Sequence, residues 1–287
     1  MTDDTAGGDG SPGSAPEGAP EGAPEGAPEG AELVRYELDG HVATITYNRP
    51  ERLNAIDGAM RQALNAAFSR FRDDEHAWVA IVTGAGRAFC AGADLRGEGD
   101  PTGEFKGTFW ERPTVNSFES GWEIFKPVIA AVNGYCIGYG FTLLTWCDFV
   151  IASERAEFGF PEVRIGIPTI VGAIRLPRKL NWQYAMELLL TGERIDAARA
   201  HEIGLAGWVV PHEELMDTAR ALAARLVRGA PLAGRAIKEV AVRTADLPMS
   251  DAIRFGETMR RVAGATEDAA EGRAAAAERR EPRWRGR

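Results

Sequence analysis

Cysteine, histidine, long apolar runs and positive charge are all in short supply in this chain. The three cysteines, Cys90, Cys136 and Cys147, show no metal-type spacing, and an odd number argues against a secreted disulfide scaffold. No apolar run approaches the roughly 20 residues that span a bilayer, which excludes a transmembrane helix and makes the cytoplasm the expected location. Lys and Arg total 33 against 42 Asp and Glu, a net charge of −9. That balance disfavours non-specific nucleic-acid binding, which depends on neutralising phosphates. A small anionic ligand is still allowed, because local Arg and Lys decide that.

Residues 1–30 contain almost nothing that could form a core. Ala15-Pro16-Glu17-Gly18 recurs from Ala19, Ala23 and Ala27. A repeat without large apolar side chains cannot offset the entropy of ordering it. The segment lacks the basic start and apolar stretch of a secretory leader and reads as a flexible acidic tail. The remaining ~255 residues suit one large α/β domain with a helical appendage.

Residues 33–38 and 41–47 are alternating runs split by Asp39-Gly40, a hairpin signal. Residues 54–77 carry Met60, Leu64, Phe68 and Phe71 at helical spacing. Residues 78–83 form a continuous apolar strand of the kind buried on both faces, and further strands are expected over 128–132 and 148–152. Residues 97–115, polar and rich in Gly and Pro, are interrupted by Phe105, Phe109 and Trp110 and read as a mobile loop with an aromatic lining. A short helix is expected over 140–146. Beyond Phe158 the pattern is helical over 169–180, 182–190, 197–203, 212–228, 231–244 and 251–279, with a brief strand at 208–210. Strands alternating with helices, then helices alone, imply repeated ββα units with a helical tail.

Two segments stand out: Ala88-Phe89-Cys90-Ala91-Gly92-Ala93-Asp94-Leu95, and Ala131-Val132-Asn133-Gly134-Tyr135-Cys136-Ile137-Gly138-Tyr139-Gly140. Each follows an apolar run and breaks into small residues where a helix is expected to begin. A helix start leaves backbone N–H groups without intrahelical partners, and its dipole favours negative charge there. Two such turns side by side would aim two N–H groups at one point, which is how an oxyanion hole is built. On these segments the chain resembles the crotonase (enoyl-CoA hydratase/isomerase) superfamily. Asn48-Arg49-Pro50-Glu51-Arg52-Leu53-Asn54-Ala55, the segment from Phe158 to Gly166, and Ala265–Gly272 extend the resemblance to residues 33–287.

The resemblance implies an α/β fold, a crotonase-like spiral of repeated ββα units over residues 31–210, with a C-terminal helical trimerisation region over 211–287. It implies an acyl-CoA thioester as substrate, CoA being part of the substrate and no separate cofactor or metal being needed. A homotrimer or dimer of trimers is the expected assembly. The N–H groups of Ala93 and Tyr139 become the oxyanion donors. Relatives usually carry glycine at the Tyr139 position, but a backbone donor does not depend on the side chain; the phenol is either a core group or a wall of the acyl pocket. The backbone around Ala91, Ala93 and Leu95 would line the adenine end of CoA, and Asp94 and Gly138 would belong to the same CoA-binding set. Arg52 is the expected phosphate contact, Arg49 fixes its turn, and Lys238 and the Arg279-Arg280 pair are further candidates.

Family hydratases use two glutamates to hold a water and handle its protons. The second matches Glu162. The first falls at Thr142, whose hydroxyl can hydrogen-bond but cannot act as a base near neutral pH. The acid of dienoyl-CoA isomerases falls at Ile170, and none of His41, His76, His201 and His212 lies in a motif. One carboxylate is therefore expected at the centre, which suits isomerase-like proton transfer, with hydration through a Thr142-held water as a slower possibility. Alternatives are another reaction of the same fold on a specialised acyl-CoA (hydrolase, decarboxylase or cyclase) and a non-catalytic binding protein, including an RNA-binding one. A dinucleotide enzyme is rejected: Gly138-Tyr139-Gly140 has no third glycine and no acidic residue at the required spacing.

Overall fold

A computed structural model describes residues 32–96 and 123–287. The acidic repeat and the loop expected over 97–115 fall outside the described residues.

The chain winds two sheets side by side. The larger takes β1 (Val34–Asp39), β2 (Val42–Tyr47), β3 (Val79–Gly84), β5 (Val128–Val132), β7 (Phe149–Ser153) and β10 (Trp208–Val210), in that spatial order. Among the described residues of this sheet only the β1–β2 pair is antiparallel. The smaller sheet takes β4 (Ala88–Cys90), β6 (Tyr135–Ile137), β8 (Glu157–Gly159) and β9 (Arg194–Asp196). Each turn of the spiral thus gives one strand to each sheet: β3 then β4, β5 then β6, β7 then β8. This is the α/β spiral that the ββα pattern implied. The four short strands of the second sheet were not expected, since three-residue strands carry too few side chains to show a period; β10, equally short, was expected at 208–210 because it is an apolar break between helical stretches.

Side chains alternate across β3 and β5, as a strand requires. Val79, Ile81, Ile129 and Ala131 face Leu215, Ala219, Leu222 and Ala223 of α6 (Leu215–Val227). Ala80, Val82, Val128, Ala130 and Val132 face the main core with Phe89, Phe141, Phe158 and Phe160.

Helix α1 (Gly58–Asp73) buries Met60, Leu64, Phe68 and Phe71, the stripe expected from spacing. It begins later than 54 because Leu53 and Asn54 adopt positive φ, 53° and 57°, and Asp57 caps it by accepting from the Met60 N–H at 2.8 Å. It ends earlier than 77, where the Lys126 ammonium donates to the Phe71 and Asp74 carbonyls, both at 2.6 Å. The remaining helices are α2 (Tyr139–Leu144), α3 (Ile170–Lys179), α4 (Trp182–Thr191), α5 (Ala197–Glu202), α7 (Pro231–Arg243), α8 (Met249–Gly264) and α9 (Glu267–Glu278). The single helix expected over 251–279 is two, because the Thr266 hydroxyl accepts from the Ala269 N–H at 3.1 Å and starts α9 afresh.

Asn54 ties the first turn of the site to the fold. Fully buried, it donates to the Ala85 and Ala88 carbonyls at 3.0 and 2.7 Å and accepts from the Arg49 N–H at 2.8 Å. Asn54→Ala strands the Ala85 carbonyl and the Arg49 N–H, while Asn133 still donates to the Ala88 carbonyl, and each buried unmade bond costs about 1–3 kcal/mol. Urea unfolding is expected to show a loss of about 2 kcal/mol or more. A loss below about 0.5 kcal/mol, the range of an ordinary surface change, would free the turn from this side chain.

Candidate active site

The turns after β4 and β6 meet backbone to backbone. The Ile56 N–H donates to the Gly92 carbonyl at 2.8 Å and the Asp94 N–H to the Ile56 carbonyl at 2.9 Å. This parallel bridge pairs Ile56 with Ala93, so Ala93 turns its own N–H away from Ile56. A Cβ at Gly92 would lie 3.2 Å from the Ile137 carbonyl oxygen and 3.7 Å from the Tyr139 nitrogen. Tyr139 is the first residue of α2, where a backbone N–H points out beyond the helix start. Gly140 fits against Cys90: a Cβ there would come within 2.6 Å of both the Cys90 Cβ and its carbonyl oxygen.

A cavity of about 740 Å³ opens in front of these turns. Ala91, Gly92, Ala93, Gly138, Tyr139 and Thr142 form one side, and Pro161, Glu162, Ile165, Ile167, Thr169 and Ile170 the other. Glu162 sits in a 3₁₀ turn, Pro161–Ile165. Its carboxylate lies over Gly138, which has φ +55° and whose Cβ would meet the Glu162 Oε1 at 2.9 Å. Glu162 Oε2 is buried with no hydrogen-bond partner among the described residues. Burial raises the carboxyl pKa above its usual value. Its own N–H partly offsets the rise, as does the Thr169 hydroxyl, which is close by though outside hydrogen-bonding geometry. Thr142 is buried at the back. Tyr139 is half-buried, packs against the core and also lines the cavity, with the Arg61 guanidinium 4.9 Å from its ring centre.

The structure therefore gathers Ala91, Ala93, Leu95, Gly138, Tyr139, Thr142 and Glu162 around one space. Among the described residues Glu162 is the only carboxylate lining it, and Ile170 contributes a side chain that is 62% exposed. Other expected residues are placed elsewhere. The Asp94 carboxylate turns to Arg49 Nη1 at 3.1 Å, and the same guanidinium atom holds Asp57 at 2.9 Å and the Ala55 carbonyl at 3.1 Å. Arg49 thus fixes the turn. Arg52 is exposed on the 3₁₀ turn Pro50–Arg52 and does not line the cavity.

Lys238 is not brought to Glu162 either. Its ammonium donates to the Lys126 carbonyl at 2.9 Å and pairs with Asp148 at 2.7 Å. It lines a separate cavity of about 480 Å³ with Arg175, Lys179 and Arg243. Arg280 pairs with Glu271 and Glu278, both at 2.6 Å, holding the Glu271 carboxyl at about 2. Spacing had no means of foreseeing such pairings, because each joins residues distant in sequence or set by a local turn. Thr169 and the wall of isoleucines escaped sequence reasoning: a hydroxyl before a helix reads as a cap, and aliphatic residues read as core. Among the described residues no group of His, Cys, Asp or Glu could hold a metal ion, and no helix is long and apolar enough to cross a membrane.

Residues 37–287 match the family described as enoyl-CoA hydratase/isomerase. A carnitinyl-CoA dehydratase of Salmonella arizonae is 39% identical over 262 residues, covering 89% of this chain and 99% of the relative. The corresponding enzyme of Salmonella choleraesuis is 40% identical, covering 90% and 100%. Among solved structures, an enoyl-CoA hydratase/isomerase from Mycobacterium paratuberculosis superposes with TM-score 0.78 at 40% identity, covering 89% of this chain and 99% of that one. An enoyl-CoA hydratase from Mycobacterium tuberculosis gives 0.79 at 35% identity, covering 90% and 100%. The chain belongs to the enoyl-CoA hydratase/isomerase family.

Two predictions follow from this geometry. Gly140→Ala forces α2 away from β4 and is expected to cost about 1–3 kcal/mol by overpacking; an unchanged melting temperature would contradict the close contact. The raised Glu162 carboxyl binds its proton more tightly folded than unfolded, so its ionisation destabilises the fold as pH rises from the usual 4.5 through the raised value. Glu162→Gln removes that burden. Denaturation is expected to find the variant more stable than the parent at pH 7, with the gap closing towards pH 4; a gap independent of pH would assign the effect to something other than the carboxyl charge.

Proposed function

We propose that the protein is an acyl-CoA enzyme of the hydratase/isomerase type. In this reading the thioester carbonyl lies between the Ala93 and Tyr139 N–H groups, which stabilise the enolate, and Glu162 transfers the proton at the α carbon. The observation that carries it is the half-buried Glu162 carboxylate, with one oxygen lacking a partner among the described residues, set over Gly138 beside the junction of the two turns. A raised carboxyl pKa suits it to exchange protons with carbon acids made more acidic by an oxyanion hole. Small residues at Ala91, Gly92 and Ala93 leave room for a ligand to approach the backbone.

With Glu162 as the one carboxylate lining the cavity among the described residues, isomerisation needs no further group. Glu162 takes a proton from the α carbon of a 3-enoyl thioester, the electron pair spreads into a dienolate, and the same carboxylic acid returns the proton to the γ carbon. The dehydratase names of these relatives favour the water-adding and water-removing direction as a second reading. No cofactor is assigned beyond the CoA of the substrate. Exposed Ile237 and Val242 on α7, and Met249 and Ile253 on α8, support self-association through the C-terminal helices.

Mass spectrometry of 2-enoyl- and 3-enoyl-CoA thioesters in deuterated water tests the proposal. Added water, double-bond migration or deuterium at the α carbon supports it; a protein that alters neither thioester contradicts it. Glu162→Gln is expected to slow turnover by about 10²–10⁴-fold with affinity for a CoA thioester nearly unchanged, and the parent rate is expected to rise with pH through the raised Glu162 pKa. Unchanged turnover in that variant would remove Glu162 from the mechanism.

A further inference from the structure

Thr169 stands immediately before α3, where a threonine ordinarily accepts a hydrogen bond from the first turn. It does not do so here. Its methyl packs against Gly172, where a Cβ would lie 2.5 Å from Thr169 Cγ2. Thr169 Oγ1 is buried with no hydrogen-bond partner among the described residues, and so is Glu162 Oε2. Both residues line the same cavity, and the hydroxyl is near enough to influence the carboxylate.

Each buried polar atom left unpaired costs about 1–3 kcal/mol, and native proteins keep few of them without a role. Valine would fill the same volume at position 169 without that cost. Two such atoms, a hydroxyl that can donate and accept and a carboxylate oxygen that accepts, form the two sides of a seat for one water or hydroxyl.

We propose that Thr169 and Glu162 together seat the water that adds to the β carbon of a 2-enoyl thioester, or the hydroxyl that leaves in reverse. This rests on the acyl-CoA reading above, and it gives Thr169 the water-holding role for which the resemblance offered only Thr142. The water donates one O–H to Glu162 Oε2 and the other to Thr169 Oγ1. As its oxygen bonds to the β carbon, Glu162 takes the proton and the π pair moves onto the thioester oxygen. The Glu162 acid then gives that proton to the α carbon. One water is added, the carboxylate is restored, and no oxidant or metal enters the balance.

Two rates separate the role of Thr169 from that of Glu162. Hydration of crotonyl-CoA and of a longer 2-enoyl-CoA requires the seated water; α-proton exchange of butyryl-CoA in deuterated water requires only Glu162 and the N–H pair. Thr169→Val is expected to lower the hydration kcat by about tenfold or more, the effect of one lost hydrogen bond to a reacting group. Exchange should change by less than about threefold, and Thr169→Ser should restore hydration. Thr169→Ala, smaller still, repeats the test if the valine fails to fold. Hydration retained in both Val and Ala variants, an equal fall in both rates, or no rescue by serine would overturn the seat. A wild-type protein that exchanges the α proton but never adds water would overturn it too, leaving proton transfer by Glu162 intact. Failure of wild-type exchange, or exchange unaffected by Glu162→Gln, would instead sink the acyl-CoA reading itself.

Discussion

The packing of Gly140 on Cys90 is the contact on which the rest of the site depends. It sets how closely α2 approaches the smaller sheet, and so how near the Tyr139 nitrogen comes to the turn at Gly92. A methyl group at position 140 would meet the Cys90 Cβ and carbonyl oxygen at 2.6 Å, so α2 or β4 would have to shift to admit it. Everything behind that contact serves to hold it. Asn54 and Asn133 both donate to the Ala88 carbonyl, at 2.7 and 3.2 Å, and pin the strand that leads into Cys90. The stacked Phe141 and Phe160, with ring centres 4.3 Å apart, join α2 to the segment that carries Glu162.

Among the described residues, most charged groups near this region are engaged elsewhere. Arg49 gathers Asp57 and Asp94 at the edge of the first turn. Lys126 and Lys238 are engaged by backbone carbonyls and Asp148, and Arg280 by Glu271 and Glu278. Glu162 is left among proline, isoleucine and threonine side chains with no described cation at its carboxylate, so burial dominates its titration. A carboxylate in such surroundings is a stronger base than in water. The cost of keeping it there is a fold slightly less stable above its pKa.

Much of this was legible in the order of residues. The strands over 34–39, 42–47, 79–84, 128–132 and 149–153 were readable because buried strands are apolar or alternating over five or six residues. The stripe of Met60, Leu64, Phe68 and Phe71 marked α1 for the same kind of reason. Three-residue strands gave no period, and the break between α8 and α9 depends on one hydroxyl, Thr266, in an otherwise helical stretch. Glu162, picked out by its motif, lines the cavity, but Lys238 was not distinguishable by sequence from a lysine facing a ligand. Its partners are Lys126, 112 residues away, and Asp148, 90 residues away.

The sequence by itself determined the family, the α/β spiral and the two small-residue turns, because each is carried by local pattern or residue identity. Tertiary structure alone decided which charged groups reach the cavity and which are absorbed by neighbours. It also decided that Thr169 faces Glu162 rather than capping its own helix. Those outcomes depend on distances between segments far apart in the chain, and a hydroxyl or an ammonium has no identity as a cap, a brace or a water ligand until packing places its partner.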